Sequence, residues 1–444
     1  MTYKEAEIGE VPEKWEVTEL VTYLGRITYG FTNPMPDTDK GPWKVTAKDI
    51  VNGYINYQTA RHTTQDAFDN ELTDKSKPRI GDVLLTKDGS IGRVAVVDQD
   101  GICINQSVAL LRPNDRILSF FLKYLLLAPH YQRVMERDSD GSTIKHIYIT
   151  RVDKMQVAVP PIDEQKGILS VVKTLDDKIE LNRRMNETLD AIARAIFRSW
   201  FVDFDPVRAK VSGEPSETIC RRLGLTPDFL ALFPSRFQDS QVGEIPEGWA
   251  VGTADEYCFL NAKSWTQTSI PDVVHYVDLA SAKNGVILDV QSASSRTAPS
   301  RARRILRPGD TIIGTVRPGN RSFALIGEAD PSLTGSTGFA VLSPKRLELR
   351  ELVYFLATSD ENIERLTRLA DGAAYPAVRP EVVTAGVCVI PDPGIIDAFH
   401  KATASMIDLQ LSNRINNCTL AATRDALLPR LLSGTLRVPI TGAA

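Results

Sequence analysis

An unbroken apolar seam constrains this chain more than any other feature. Between Glu164 and Trp200, the residues Ile168, Val172, Leu175, Ile179, Asn182, Asn186, Leu189, Ala193, Ile196 and Trp200 recur at alternating steps of four and three. That spacing predicts a long helix whose a/d stripe lies against another helix. At roughly 1.5 Å per residue it is about 55 Å long. Two asparagines stand mid-seam where leucine would be ordinary. A buried polar pair costs stability and fixes register. Asp163 is the expected N-cap, and Pro206 the expected stop.

The chain says nearly the same thing twice, about 230 residues apart. EIGEVPEKWEV (Glu7 to Val17) returns as QVGEIPEGWAV (Gln241 to Val251). KSKPRIGDVLLTKDGSIGRVAVV (Lys75 to Val97) returns as RRILRPGDTIIGTVRPGNRSFALI (Arg303 to Ile326), each a Gly-Asp turn, a strand, a turn with Gly and a strand. In this pairing Arg79 matches Arg307 and Arg93 matches Arg321. Amphipathic helices follow at Ser119 to Asp138 and Leu349 to Asp371, then Gly turns at Asp140 to Thr143 and Asp371 to Ala374. A second seam, from Phe399 to Leu431, sets Asn413 and Asn417 at the places of Asn182 and Asn186. Pro429 is expected to bend or fray its last turn.

The chain has 444 residues, 43% hydrophobic and 24% charged, enough for two or more cores. Its five cysteines form no CxxC pair, which suggests no disulfide framework and no zinc site, and so a reducing compartment. The N-terminus has no apolar signal region and no run is long enough to span a membrane, so a cytoplasmic location is expected. Catalytic signatures are missing: no GxxxxGK[ST], HExxH, GxSxG or GxGxxG after a strand, and no N/D-P-P-Y/F tetrad to grip a flipped base. An enzyme is not expected.

Positive charge, by contrast, is local. The net charge is −4, yet Arg296, Arg301, Arg303, Arg304, Arg307, Arg317 and Arg321 crowd one stretch, and Lys75, Lys77, Arg79, Lys87 and Arg93 occupy its counterpart. Such clusters on strands and turns are footprints for phosphates, and some arginines have the fork that reads guanine. The alternative is a solvated face. Lys145, His146 and Tyr375, at the Gly turns, have the donors to read a base; the alternative there is a plain loop.

These residues also carry a resemblance. IGEVPEKW and VGEIPEGW open the halves; PPIDEQKGI and FRSWFVDFDPVRAK bound the first long helix; LFPSRFQDSQVGEIPEGW and DALLPRLLSGTLRV follow. Over nearly its whole length the chain resembles the specificity subunit of Type I restriction-modification enzymes. VIPDPGIID replaces the PP-x-x-EQ phrase in the second half, which predicts a looser helix start. The resemblance implies a mixed α/β fold: two duplicated globular α/β target-recognition domains, residues 1–162 and 241–392, separated by an antiparallel coiled coil of two long helices, 163–202 and 393–434, with a pseudo-two-fold. A linker, 203–240, and a tail, 435–444, complete it. Each domain is expected to read one half of a bipartite site on double-stranded DNA, with the helix pair setting the spacer. The subunit itself is then non-catalytic and holds no cofactor. S-adenosylmethionine, ATP and Mg belong to its partners, two methyltransferase subunits and, through the complex, restriction subunits. The other readings are a coiled-coil scaffold without DNA affinity and a self-contained methyltransferase. Phe197, Phe201 and Phe204 crowd the end of the first helix and are expected either to dock the methyltransferase subunit or to pack on Phe229 to Phe233. One antiparallel register pairs Asn182 with Asn417 and Asn186 with Asn413. It also sets Leu175 against Arg424, whose guanidinium is expected to snorkel to water.

Overall fold

The structure, a computed structural model, describes residues 2–6, 9–141, 145–372 and 375–438. The turn residues Ser142, Thr143, Ala373 and Ala374 lie outside the described residues, as does the tail beyond residue 438. Contacts divide the chain into two compact units, Met1–Leu181 with Asn416–Ala444, and Asn182–Ile415. The division falls inside both long helices and not at their ends, because each half-helix buries its stripe in a globular core. Among the described residues no helix is long and apolar enough to cross a membrane.

In the first unit the principal strands are β1 (Glu16–Glu19), β2 (Leu24–Tyr29), β3 (Thr38–Val45), β4 (Arg61–His62), β5 (Val83–Thr86), β6 (Val94–Val96), β7 (Ile102–Ile104), β8 (Val108–Pro113) and β9 (Gln156–Val159). The main sheet has the order β6-β5-β8-β2, a second sheet β7-β3-β4 contains a parallel β7/β3 pair, and β9 pairs with β1. β5 reads VLLT and is buried on both faces, as a central strand should be. Helices α1 (Ser119–Leu127) and α2 (Pro129–Arg137) follow β8. One helix was expected here. Pro129 holds Ala128 extended, with ψ of 141°, and so divides it. The long helix α3 (Ile162–Phe201) then begins, with Asp163 inside its first turn.

The second unit opens on α4 (Asp205–Val211), α5 (Ser216–Leu223) and α6 (Pro227–Leu232), which fill the expected linker. Phe204, at φ 56°, turns the chain out of α3, and Pro206 starts α4 where no N–H partner is needed. Val207, Ile219, Leu230 and Phe233 from this stretch are buried in the unit's main core. Its principal strands are β10 (Ala250–Thr253), β11 (Cys258–Leu260), β12 (Val273–Val277), β13 (Gln291–Ser294), β14 (Ala302–Ile305), β15 (Thr311–Gly314), β16 (Phe323–Leu325), β17 (Leu333–Ser336), β18 (Phe339–Pro344) and β19 (Val387–Ile390). The order β16-β15-β18-β11 repeats the first unit's main sheet, and β12/β17 repeats its parallel pair. Helices α7 (Arg350–Thr358) and α8 (Asp360–Leu369) are again two where one was expected, divided at Ser359, whose side chain caps α8. The last helix, α9 (Pro393–Leu432), runs through Pro429 without ending there. Leu428, Leu431 and Leu432 are buried in the first unit's core and hold that last turn.

Within the first unit α3 and α9 pack antiparallel, with Ile168 and Val172 in one cluster with Leu428 and Leu431. The Asn417 amide donates to the Ile179 carbonyl at 3.3 Å. Arg424 does not snorkel: it donates to Asp176 Oδ1 at 2.7 Å, while Tyr124 donates to Oδ2 at 2.6 Å. Within the second unit, Asn413 Nδ2 donates to Asn186 Oδ1 at 2.9 Å, and Trp200 meets Phe399 with ring centroids 5.8 Å apart.

The two helix starts differ in chemistry. Glu164, nearly buried, accepts from Trp15 Nε1 at 3.1 Å and from Arg437 at 2.7 Å. The Gln165 amide bridges the Leu118 N–H and the carbonyls of Arg116 and Pro160. At the same places the second unit has Ile395 and Ile396, both buried in its core. The second start is therefore not looser. It exchanges hydrogen bonds for apolar burial.

Phe197, Phe201 and Phe204 all point inward. Phe201 stacks on Phe399 at 5.1 Å, Phe204 on Trp249 at 5.8 Å, and Trp200 on Phe233 at 5.1 Å. These edge-to-face pairs add about 0.5–1.5 kcal/mol each beyond burial. The three phenylalanines are enclosed, but by Phe399, Phe355, Trp249 and Phe237; of the residues at this helix end, it is Trp200 whose ring meets Phe229 and Phe233.

Lys123 is buried beside this seam, 4.0 Å from Asp176 and 4.5 Å from the Tyr54 ring centroid. Burial pushes its ammonium down to about 8, against the pull of Asp176. Unfolded, a lysine titrates near 10.5, so between these values the unfolded chain binds more protons and stability rises with pH. Lys123→Met should raise the first unit's stability at pH 7 by about 1–3 kcal/mol and flatten its pH dependence from about 8 to 10.5. Denaturant melts across that range check it; a fall in stability would show that the ion network holds the seam.

Candidate nucleic-acid interface

The Gly-Asp turn before each hairpin is built the same way. Asp82 Oδ2 accepts the Arg79 N–H, and Asp310 Oδ2 accepts the Arg307 N–H, both at 2.8 Å. The aspartates are buried and close their turns. Asp82 is also held by a two-pronged Arg112, at 2.7 and 2.6 Å. Asp310 meets Ser343 instead, and burial pushes its carboxyl up from the usual range. The Arg79 guanidinium lies 3.6 Å from Asp74 on the surface.

Arg79 precedes β5 and Arg93 follows the turn after it. They sit at opposite ends of that hairpin, about 13 Å apart at roughly 3.3 Å per strand residue. Arg307 and Arg321 are parted in the same way. In neither unit do the two arginines form one tight patch.

The pairing of Arg93 with Arg321 also shifts by one. Leu85 pairs with Val94, and Ile313 pairs with Phe323. Counting back from these pairs, Arg93 corresponds to Ser322 and Arg321 to Gly92. The second hairpin turn is one residue longer.

At the turn end, segments far apart in sequence meet. In the first unit the Gly89 N–H donates to the Lys145 carbonyl at 2.9 Å, the Ile147 N–H to the Lys87 carbonyl at 3.0 Å, and His146 Nδ1 contacts Asp88. In the second, the Arg317 N–H donates to the Pro376 carbonyl at 2.7 Å and the Val378 N–H to the Thr315 carbonyl at 2.9 Å. The basic hairpin and the Gly turn, two separate candidates by sequence, are one site in each unit.

Side chains at these sites have distinct environments. Lys87 is buried, 3.1 Å from Asp88 and 5.2 Å from the Tyr29 ring. Lys75 lies over the same ring at 5.9 Å, and Lys77 caps the Asp69 carbonyl at 3.2 Å. The Arg93 guanidinium reaches the Ala47 and Ile50 carbonyls at 3.4 and 3.3 Å. Lys145, exposed, pairs with Glu136 at 2.7 Å. Arg301 is held by Tyr276 at 3.0 Å and Asp278 at 2.8 Å, Arg303 by the Ser300 carbonyl at 3.1 Å. Arg304 bonds Ser264 at 3.1 Å, and burial draws its guanidinium below the usual value. Arg321 is tied to Asp360 at 2.6 Å. Arg317 lies over the ring of Tyr375 at 4.9 Å, and Tyr375 is 73% exposed.

An open hollow of about 1070 Å³ adjoins the first hairpin, lined by Arg93 with Lys44, Lys48, Arg61, Asp49 and Asp88. Lys44, Lys48 and Arg61 were not singled out from sequence, because they are scattered singly along three segments; only folding collects them. Among the described residues no group of three or more His, Cys, Asp or Glu is placed to hold a metal ion. What each site offers is a convergence of N–H donors, suited to phosphate oxygens or base acceptors.

The chain is similar to several known proteins. Residues 35–191 match the family described as the Type I restriction modification DNA specificity domain. The specificity subunit of the type I restriction enzyme MjaIX from Methanocaldococcus jannaschii is 23% identical, over 98% of this chain and 96% of its own. That of HindI from Haemophilus influenzae is 26% identical, over 80% and 86%. Among solved structures, the S subunit of a type I restriction-modification system from M. genitalium superposes with a TM-score of 0.53 at 14% identity, covering 95% of this chain and 96% of that one, a likeness of fold.

Arg112 sets up a direct test of the first turn. Arg112→Ala leaves a buried carboxylate without its partner and should cost the first unit about 3–5 kcal/mol. Ser343→Ala, at the matching place, should cost only about 1 kcal/mol. Equal losses would show that the ion pair is not what closes the turn.

Proposed function

Taking this chain as a relative of the type I specificity subunits over nearly its whole length, we propose that it is the non-catalytic DNA-reading component of such a complex. Each unit reads one half of a bipartite duplex site, and the two long helices set the distance between the halves. The observation that carries this is the repeat of the same hairpin-plus-turn donor cluster, once per unit. Two copies joined by continuous forty-residue helices suit a target in two parts with a fixed gap.

Partners follow from the same reading. Methyltransferase subunits supply S-adenosylmethionine chemistry, restriction subunits join through the complex with ATP and Mg, and the complex works in the cytoplasm. With the helix-end phenylalanines enclosed, docking falls to the outward faces of the long helices. Leu181, Ile192, Leu409 and Ile415 are exposed there.

Two measurements test the reading. Arg93→Ala should lower the slope of log affinity against log salt by about one unit if its guanidinium meets a phosphate. An unchanged slope would leave it a brace for the Ala47 and Ile50 carbonyls. For the spacer, one heptad is inserted into each long helix, between Leu175 and Leu189 and between Leu409 and Leu420, keeping the seam in phase. The helices lengthen by about 10.5 Å at roughly 1.5 Å per residue, or about three base pairs. Mapped methylation sites should keep their bases and gain that spacing. Methylation only at the original spacing would mean that the helices do not set it.

A further inference from the structure

A short phrase recurs in both units: TAKDIVNG, from Thr46 to Gly53, and DLASAKNG, from Asp278 to Gly285. Each opens on a single helical turn, Ala47–Asp49 or Leu279–Ser281. The two turns are closed differently. In the first unit Asp49 Oδ2 accepts the Thr46 N–H at 2.9 Å and the Thr46 hydroxyl at 2.8 Å, and Oδ1 accepts the Thr59 hydroxyl at 3.0 Å. Both carboxylate oxygens are engaged locally. In the second unit Ser281 stands at the place of Asp49, and the carboxylate has moved to the head of the turn. Asp278 Oδ1 accepts the Leu279 N–H at 2.7 Å and the Tyr276 hydroxyl at 3.3 Å. That leaves Oδ2 for Arg301, whose Nη2 donates to it at 2.8 Å.

Arg301 lies just before β14, and its Nε donates to the Tyr276 hydroxyl at 3.0 Å. Tyr276, on β12, is buried, and the Asp278 side chain is 25% exposed, but that of Arg301 is 55% exposed. Two fixed groups thus hold one edge of an exposed guanidinium. Nη1 and the second Nη2 hydrogen have no partner among the described residues. That free edge is a fork that matches the O6 and N7 acceptors of guanine in a major groove, and Lys at the same place would not. Closing the turn does not require an arginine on the carboxylate, since the first unit closes its own through Thr46 and Thr59. The position is also the right one. The Arg301 carbonyl accepts the Thr337 N–H at 2.8 Å, and the next carbonyl, of Gly338, accepts the Thr315 N–H at 2.8 Å. Thr315 begins the turn of the basic hairpin, where Val378 joins from the Gly turn.

We infer that Arg301, held by Tyr276 and Asp278, reads a guanine in the half-site of the second unit. The inference rests on the DNA-reading proposal above and adds to it a residue, a base and the two groups that aim the one at the other. The test is selection from a randomised duplex pool, using the full chain with the subunits that co-purify with it. Wild type should enrich a two-part motif. Arg301→Ala should lose preference for one G·C pair by roughly ten- to a hundredfold and leave the other positions intact. Arg301→Lys keeps a cation beside Asp278, and with it the fold. It should lose the same preference while keeping the salt slope of wild type. Tyr276→Phe removes only the hydroxyl that holds Nε and should weaken the preference at that one pair. A preference for G·C kept in full by Arg301→Lys or Arg301→Ala overturns the inference. So does a uniform loss across all sequences in Arg301→Ala with a salt slope lower by about one, which marks a phosphate contact. A lowered melting midpoint with the motif unchanged also overturns it, and marks an ion pair that only braces the turn. A wild-type pool with no motif overturns the DNA reading, and this inference with it.

Discussion

Neither long helix can bury its apolar stripe alone, and the rest of the structure follows from how each half finds cover. The two seams solve one problem with different chemistry. In the first unit Asp176, Arg424, Tyr124 and Lys123 make a buried polar knot. At the matching places the second unit has Ile407, Ala193, Phe355 and Tyr354, all in its apolar core. A buried ion network is weak support for stability and strong support for one arrangement over others. The first unit's knot favours a defined geometry, and the second gains cohesion from aromatic packing around Trp200 and Phe399 while keeping buried ionic contacts of its own, Glu351 with Arg350 and His400.

Much of this was legible in the sequence because it is periodic. The seam, the duplicated hairpins and the Gly-Asp turns are local patterns, and pairing by offset carried them between halves. What offset pairing missed was a single added residue in the second turn, which moved Arg321 onto a glycine position. It also missed direction: residues close in sequence to one hairpin, such as Arg79 and Arg93, end at opposite ends of its strands. The aromatic crowd after the first seam was legible as sticky but not as enclosed, since its covers, Trp249 and Phe399, lie far along the chain. Lys44, Lys48 and Arg61 gave no signal, because a patch assembled from separate segments has no run to read.

The substitution of isoleucines for the Glu-Gln pair at the second helix start teaches the same lesson from the other side. A departure from a phrase looked like weakening. In the fold it is a change of partner. Glu164 and Gln165 answer backbone groups, Trp15 and Arg437; Ile395 and Ile396 answer a core.

The division of the chain has a consequence for its synthesis. The second unit is one uninterrupted stretch, Asn182–Ile415, whereas the first needs both Met1–Leu181 and Asn416–Ala444. A ribosome delivers the second unit whole before the first has received its last helix turns, its Leu431 and its Arg437. Domains tend to fold as units in the order they emerge. Here that order is inverted: the part begun first is finished last. Until Leu428, Leu431 and Leu432 have emerged, Ile168 and Val172 wait with a bare stripe.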